Sequence, residues 1–274
     1  MNMLRKILFL LIAAVFLFVA VTPVLAGDNK NFIVSAIVKV KPGYEKKAKA
    51  EMLKLVPLTR SEPGCIQYDM HVNVGTTPED YLKENPRLYM FYEIWRSRED
   101  WDLHMEMPYL VKWFNLANKI CEGIDITIWE MLKLPTNPTF RGQENPDPKE
   151  QYTLMARVHV KAKGDCGASN IPDCIDRSWK EMLSLVPLTH IEPGCVNYEM
   201  HVNLDMNTMG RNPREIMFYE NWYDFNVWYY DHMNASYLVR WFDMAPQVTT
   251  GIELTGWKKM AFCEYPCAPS CHHK

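Results

Sequence analysis

Phe32, Val34, Ala36, Val38 and Val40 alternate with Ile33, Ser35, Ile37 and Lys39, the two-residue period of a β-strand. Pro42-Gly43 interrupts that strand, and Ala48, Met52 and Leu55 then recur at the i, i+4, i+7 spacing of a helix. Glu62-Pro63-Gly64 is a turn signal. Beyond it Ile66, Tyr68, Met70 and Val72 alternate with Gln67, Asp69, His71 and Asn73, predicting a second strand, and residues 88–95 predict a third. Ser97 followed by Asp100 has the spacing of a capping box, opening a short helix with Trp101 and His104 on one side. Leu110, Trp113, Phe114 and Ala117 mark another helix, and Ile124, Ile126 and Ile128 a last strand. The order is β-α-β-β-α-β with its second helix split, a ferredoxin-like α+β unit. Helices cover one face of its sheet. Ile33, Ile37, Phe91 and Trp95 are assigned to the other face, which therefore requires a partner sheet.

The partner is in the same chain, because the whole pattern returns about 130 residues later. Met52 to Thr59 reappears as Met182 to Thr189, Glu62-Pro63-Gly64-Cys65 as Glu192-Pro193-Gly194-Cys195, and Met70-His71-Val72-Asn73 as Met200-His201-Val202-Asn203. Met90-Phe91-Tyr92-Glu93 matches Met217-Phe218-Tyr219-Glu220, Trp101 matches Trp228, His104 matches His232, and Tyr109-Leu110-Val111 matches Tyr237-Leu238-Val239. The offset changes only between blocks, which places insertions in loops. In the second copy Ile175, Trp179, Leu183 and Val186 fall at helical spacing. Two domains are expected, at 31–134 and 151–260, joined by a proline-rich linker over 135–150 and followed by a Cys/His tail over 261–274.

The first 26 residues read differently. Arg5 and Lys6 precede an apolar run that ends in Val24-Leu25-Ala26, the layout of a secretory signal peptide. A periplasmic or secreted protein, with no membrane attachment after cleavage, is the expectation. Nothing in a formal charge of −3 favours nucleic acid, which requires a basic patch. With 48% hydrophobic and 23% charged residues the composition is that of a globular protein.

The series Lys-Pro-Gly, helix, Glu-Pro-Gly-Cys-x-x-Tyr, Phe-Tyr-Glu-x-Trp, Trp followed by His, and Tyr-Leu resembles the antibiotic biosynthesis monooxygenase domain of the dimeric α+β barrel superfamily. The resemblance covers residues 31–134 and 151–260. It implies that two sheets close into a barrel, here as a pseudo-dimer within one chain that could oligomerise further. It also implies an enzyme without metal or flavin, in which a small aromatic or quinol-like substrate is deprotonated and passes an electron to O2. His104 and His232 stand where the family carries its helix histidine and are the candidate bases; a hydrogen-bonding histidine at the pocket rim is the alternative. Trp101, Trp113, Phe114, Trp228, Trp241 and Phe242 would wall the pocket, although plain core is preferred for such a stripe. Glu93 and Glu220 are candidate proton acceptors, with pairing to a neighbouring side chain preferred. Haem-degrading relatives depend on an asparagine in the first strand, which neither copy has.

His71 and Asn73, like His201 and Asn203, project from one face of a strand beside Asp69 or Glu199. A polar site or metal half-site at the junction of the copies is conceivable on this spacing, and a sheet edge facing water is preferred. Eight cysteines in an exported chain suggest disulfides. Cys166 and Cys174 flank an insertion that the first copy lacks and are expected to pair. Cys65 and Cys195 are expected to be buried thiols, and Cys121 to pair with the tail. Cys263, Cys267, Cys271 and His272 could form disulfides, hold a metal, or attach haem through a spacing one residue longer than Cys-x-x-Cys-His. The rivals to an enzyme are therefore a non-catalytic binder of a hydrophobic small molecule or haem, and a redox protein using the tail.

Overall fold

The structure is a computed structural model that describes residues 31–132, 150–162, 164–166 and 173–261. The leader, most of the linker, residues 167–172 of the insertion, and Cys263, Cys267, Cys271 and His272 lie outside the described residues.

The first copy runs β1 (Phe32–Val40), α1 (Glu45–Arg60), β2 (Cys65–Val74), β3 (Asn85–Trp95), α2 (Arg98–Met105), α3 (Pro108–Ile120) and β4 (Cys121–Met131). The second runs β5 (Tyr152–Val160), α4 (Cys174–Thr189), β6 (Cys195–Leu204), β7 (Arg211–Trp222), a π-helical turn (Val227–Asp231) with a 3₁₀ turn (His232–Asn234), α5 (Ser236–Val248) and β8 (Thr249–Ala261). The expected β-α-β-β-α-β order holds in both. Ser97 caps α2 by accepting the Asp100 amide, as the capping-box spacing requires.

All eight strands join one closed antiparallel barrel in the order β1-β3-β2-β8-β5-β7-β6-β4. Each copy supplies four adjacent strands. Two seams, β2 with β8 and β4 with β6, join the copies with matching register: Asn73 opposes Trp257, and Asn203 opposes Trp129. Closure leaves no edge strand, which removes the aggregation hazard of an open sheet.

Helices cover the outside of the barrel in two equivalent cores. Val34, Val38, Met52, Leu55, Phe91, Trp95 and Trp113 belong to the first, and Leu154, Val158, Met182, Leu185, Phe218, Trp222 and Trp241 to the second. A third cluster fills the barrel: Ile33, Met90, Tyr92, Ile94 and Trp129 meet Met155, Met217, Tyr219 and Trp257. The sequence assignment of the inner face needs correction here. Ile33 and Ile37 point inward as expected, but Phe91 and Trp95 lie under the helices. Phe91 is paired with Ala36 and Trp95 with Phe32, and partners in register share a face. Helix α4 forms over the expected residues. Of the four at helical spacing Val186 is buried and Ile175, Trp179 and Leu183 are half-buried, with Ser178, Met182, Leu185 and Thr189 completing the buried face. Trp179 reaches out to donate to the Pro213 carbonyl at 2.8 Å.

The His-Val-Asn segments do not face water. His71 and His201 are fully buried inside the barrel. Asn73 donates to the Gly256 carbonyl and Asn203 to the Ile128 carbonyl, at 3.0 and 3.1 Å, so both amides fasten the seams. A strand that is an edge within its own repeat becomes interior once the second repeat pairs with it.

Candidate active site

A pocket lies between sheet and helices in each copy. Val34, Ala36, Val38, Phe91, Ile124 and Ile126 line the sheet side of the first, facing Leu55, Trp101, Met105, Leu110, Trp113 and Phe114. His104, Glu93 and Tyr68 form its one polar wall. In the second, Trp228, Trp241, Phe242, His232, Glu220 and Tyr198 take the corresponding places. The sequence candidates are thus brought together around two equivalent centres. The free volumes are about 30 and 20 Å³, enough for a water or two. Entry of an aromatic ring therefore requires movement of a half-buried side chain such as Phe114 or Met105.

The turn before β2 builds the polar wall. A Cβ on Gly64 would come within 2.3 Å of Asp100, and one on Gly194 would meet Val227 at 2.7 Å, so only glycine lets the Glu-Pro-Gly-Cys turn close against the following helix. Gly194 also has φ +81°, the left-handed region that glycine occupies readily. That close approach brings Glu62 to His104, 2.8 Å from Oε1 to Nδ1, and Glu192 to His232 at 2.9 Å. The Tyr109 and Tyr237 hydroxyls donate to the same carboxylates, with Thr59 and Thr189 3.1 Å behind them. Glu62 and Glu192 hold the Nδ1–H of each imidazole and leave Nε2 on the other side.

Glu93 and Glu220 stand on that other side. In the second copy Nε2 of His232 is 3.9 Å from Glu220 Oε2. Each carboxyl also accepts from an indole N–H, Trp95 to Glu93 at 2.8 Å and Trp222 to Glu220 at 3.0 Å. Burial raises both carboxyl pKa values against the opposing pull of the histidine, and Glu220 reaches about 7. Each pocket therefore has an array in which an inner carboxyl and an outer one flank a single histidine. Both histidines are 1% exposed, with His104 and His232 packed at a tilt against Trp95 and Trp222 at 4.6 and 4.4 Å.

The copies differ at one point. Trp101 and His104 are three residues apart, but Trp228 and His232 are four apart. The extra residue is absorbed by the π-helical turn, whose wider winding keeps both side chains directed at the pocket. Sequence reasoning found the histidines and inner carboxyls but did not assign Thr59, Glu62 and Tyr109, or Thr189, Glu192 and Tyr237. Their signal was present: each is a polar residue repeated in both copies, Thr59 on the buried face of α1, Tyr109 in the first turn of α3 and Glu62 in the turn before β2.

Cys166 and Cys174 form the expected disulfide, with Cα atoms 5.7 Å apart. Cys65, Cys121 and Cys195 are buried thiols, unbridged among the described residues. Burial pushes the Cys65 and Cys195 thiols well up, so neither is a nucleophile. No cluster of three His, Cys, Asp or Glu side chains suited to a metal occurs among the described residues, and none of their helices is long and apolar enough to cross a membrane.

Residues 31–116 match the family model of the antibiotic biosynthesis monooxygenases. An uncharacterized protein of Synechocystis sp. is 33% identical over 125 residues, 44% of this chain and 79% of that protein. Among solved structures, a proposed monooxygenase of Fusobacterium nucleatum aligns with TM-score 0.63 at 13% identity, over 87% of this chain and 96% of its own. An anthrone oxidase-like protein aligns with TM-score 0.60 at 13% identity, over 88% and 95%. At such identity the two structures establish a shared fold.

Proposed function

Because the chain belongs to the antibiotic biosynthesis monooxygenase family, with the fold present twice in one polypeptide, we propose that it is a monooxygenase-type enzyme acting on a small aromatic or quinol-like substrate without a bound cofactor. The observation that carries this reading is the array Glu62–His104–Glu93, repeated as Glu192–His232–Glu220, at the one polar wall of an otherwise aromatic pocket. Nε2 of His104 or His232 takes the proton of a phenolic hydroxyl, and the bonded carboxylate stabilises the imidazolium that results. The substrate anion gives an electron to O2; one oxygen atom ends on the ring and the other leaves as water. Trp101, Trp113 and Phe114, with Trp228, Trp241 and Phe242, hold the ring and exclude solvent. The Cys166–Cys174 bridge suits the oxidising compartment proposed for the mature protein.

Haem does not fit these pockets. Each histidine lies against an indole, and the walls meet to leave about 30 Å³ or less. A carrier of a small apolar molecule is the rival reading, favoured by how little of each pocket wall is polar.

Oxygen consumption with a panel of quinols and polyphenols separates the two. The double variant His104→Ala with His232→Ala should lower turnover by roughly 10²–10⁴-fold, the usual weight of a positioned base. Unchanged turnover in that variant removes the histidines from the mechanism, and no oxidation of any quinol by the wild type leaves the carrier reading in place.

A further inference from the structure

Neither pocket uses the polar groups inside the barrel. Tyr92 and Tyr219, one from each copy, stack with ring centroids 3.8 Å apart and planes 4° from parallel. Hydrogen bonds to opposite copies hold this parallel pair in place. The Tyr92 hydroxyl is 2.9 Å from Nε2 of His201 and also within donating distance of Glu199 Oε2, at 3.2 Å, and the Tyr219 hydroxyl is 3.1 Å from Nε2 of His71. Nδ1 of His201 lies 3.1 Å from the Glu199 carbonyl. A carbonyl only accepts, so Nδ1 carries the proton and Nε2 is left as the acceptor for the phenol. All four side chains are shut off from solvent, and burial keeps both imidazoles neutral, with His71 lowered to about 3 and His201 to about 4.

We propose that Tyr92 and Tyr219, with His201 and His71 as their proton acceptors, form a proton-coupled one-electron redox site at the centre of the barrel. An electron leaves the stacked rings for an oxidant of the organic peroxyl class. At the same time the Tyr92 proton moves along its hydrogen bond to His201 Nε2. The products are a neutral tyrosyl radical and an imidazolium; the oxidant becomes a hydroperoxide anion that takes a proton from solvent. A reductant of the ascorbate or thiol class reverses the step, returning the electron to the ring while the proton goes back to the phenolic oxygen. The parallel stack favours loss of an electron, because the electron deficiency is shared by two rings. Trp129 and Trp257 belong to the same buried cluster and lie on the seams. The proposal does not depend on the reaction assigned to the pockets.

The test uses the full chain, photo-oxidised with a ruthenium polypyridyl and persulfate, frozen, and examined by electron paramagnetic resonance with ascorbate in solution. The expected result is a tyrosyl radical that outlives those on solvent-exposed tyrosines. The Tyr92→Phe, Tyr219→Phe double variant should lose that long-lived signal several-fold with its circular dichroism unchanged. His201→Gln, which can accept a hydrogen bond but not store the proton, should shorten its lifetime. If the double variant fails to fold, the single variants, each retaining one phenol–imidazole pair, should each lose part of the signal. Absence of a long-lived radical in the wild type, or equal amplitude and lifetime in the tyrosine variants, overturns the proposal.

Discussion

Producing residues 31–134 and 151–260 as separate chains removes the linker while leaving both seams free to form. Ile33, Met90, Tyr92, Ile94 and Trp129 of the first half are buried against Met155, Met217, Tyr219 and Trp257 of the second. At about 1.5–3 kcal/mol for each large side chain, the five residues of the first half contribute roughly 7–15 kcal/mol, as much as a domain's whole stability. Neither half should therefore persist as a monomer. Charge at the seams then decides which halves pair. Arg211 grips Glu130 through two bonds of 2.6 and 2.7 Å at one seam, and Lys258 meets Glu84 at 3.3 Å at the other. The repeat aligns Glu130 with Lys258 and Glu84 with Arg211, so the two bridges carry opposite polarity. Half-buried Lys259, 3.9 Å from Asp69, likewise has Met131 at its repeat position. A homodimer of the first half would set Glu84 against Glu130 at both seams, and a homodimer of the second would set Lys258 against Arg211. These groups are partly exposed, so each reversal is worth about 1–2 kcal/mol, and two together about 2–4 kcal/mol. That favours the mixed pair by roughly one and a half to three powers of ten. Native mass spectrometry of the mixed halves should find the heterodimer dominant at low salt, with its preference weakening as salt screens the seams. A statistical mixture at low salt refutes the electrostatic argument, and a stable soluble monomer of either half refutes the pairing of the sheets.

Three further outcomes are expected. Burial lowers the pKa of His201 from 6.5 to about 4; its stability contribution is constant above pH 6.5 and falls by on the order of 3 kcal/mol as the pH drops to about 4, because the unfolded chain takes up a proton the folded one refuses. Nitrogen NMR should accordingly find the His71 and His201 rings neutral at pH 5, and a charged ring at that pH contradicts their placement. Glu220 works the other way: held protonated up to about 7 from an ordinary 4.5, it contributes fully below pH 4.5 and loses that contribution as pH rises through 7, so urea denaturation should find Glu220→Gln gaining on the wild type between pH 5 and pH 8. Replacing Cys166 and Cys174 by serine opens a loop of sequence separation 8 and should lower Tm by roughly 5–10 °C, measured by calorimetry; an unchanged Tm means the bridge does not constrain the chain.

Period-2 and helical patterns, Pro-Gly breaks and the internal repeat were enough to determine the elements, their order and their duplication, because backbone periodicity and turn chemistry act over a few residues. His104, Glu93 and their repeats were singled out through the family resemblance, and the structure sets them on the polar wall of each pocket. Glu62 and Tyr109 were out of reach of such local patterns: their meeting with His104 depends on Gly64 packing under a helix that begins more than thirty residues later. The inner face of the barrel was misread at Phe91 and Trp95 because both faces of these strands are apolar, and only the pairing register separates them. The His-Val-Asn strands looked like a wet edge for a related reason. Within one repeat they are an edge, and closure of the barrel by the second repeat takes them out of water, so their environment is a property of the assembled sheet and not of the strand.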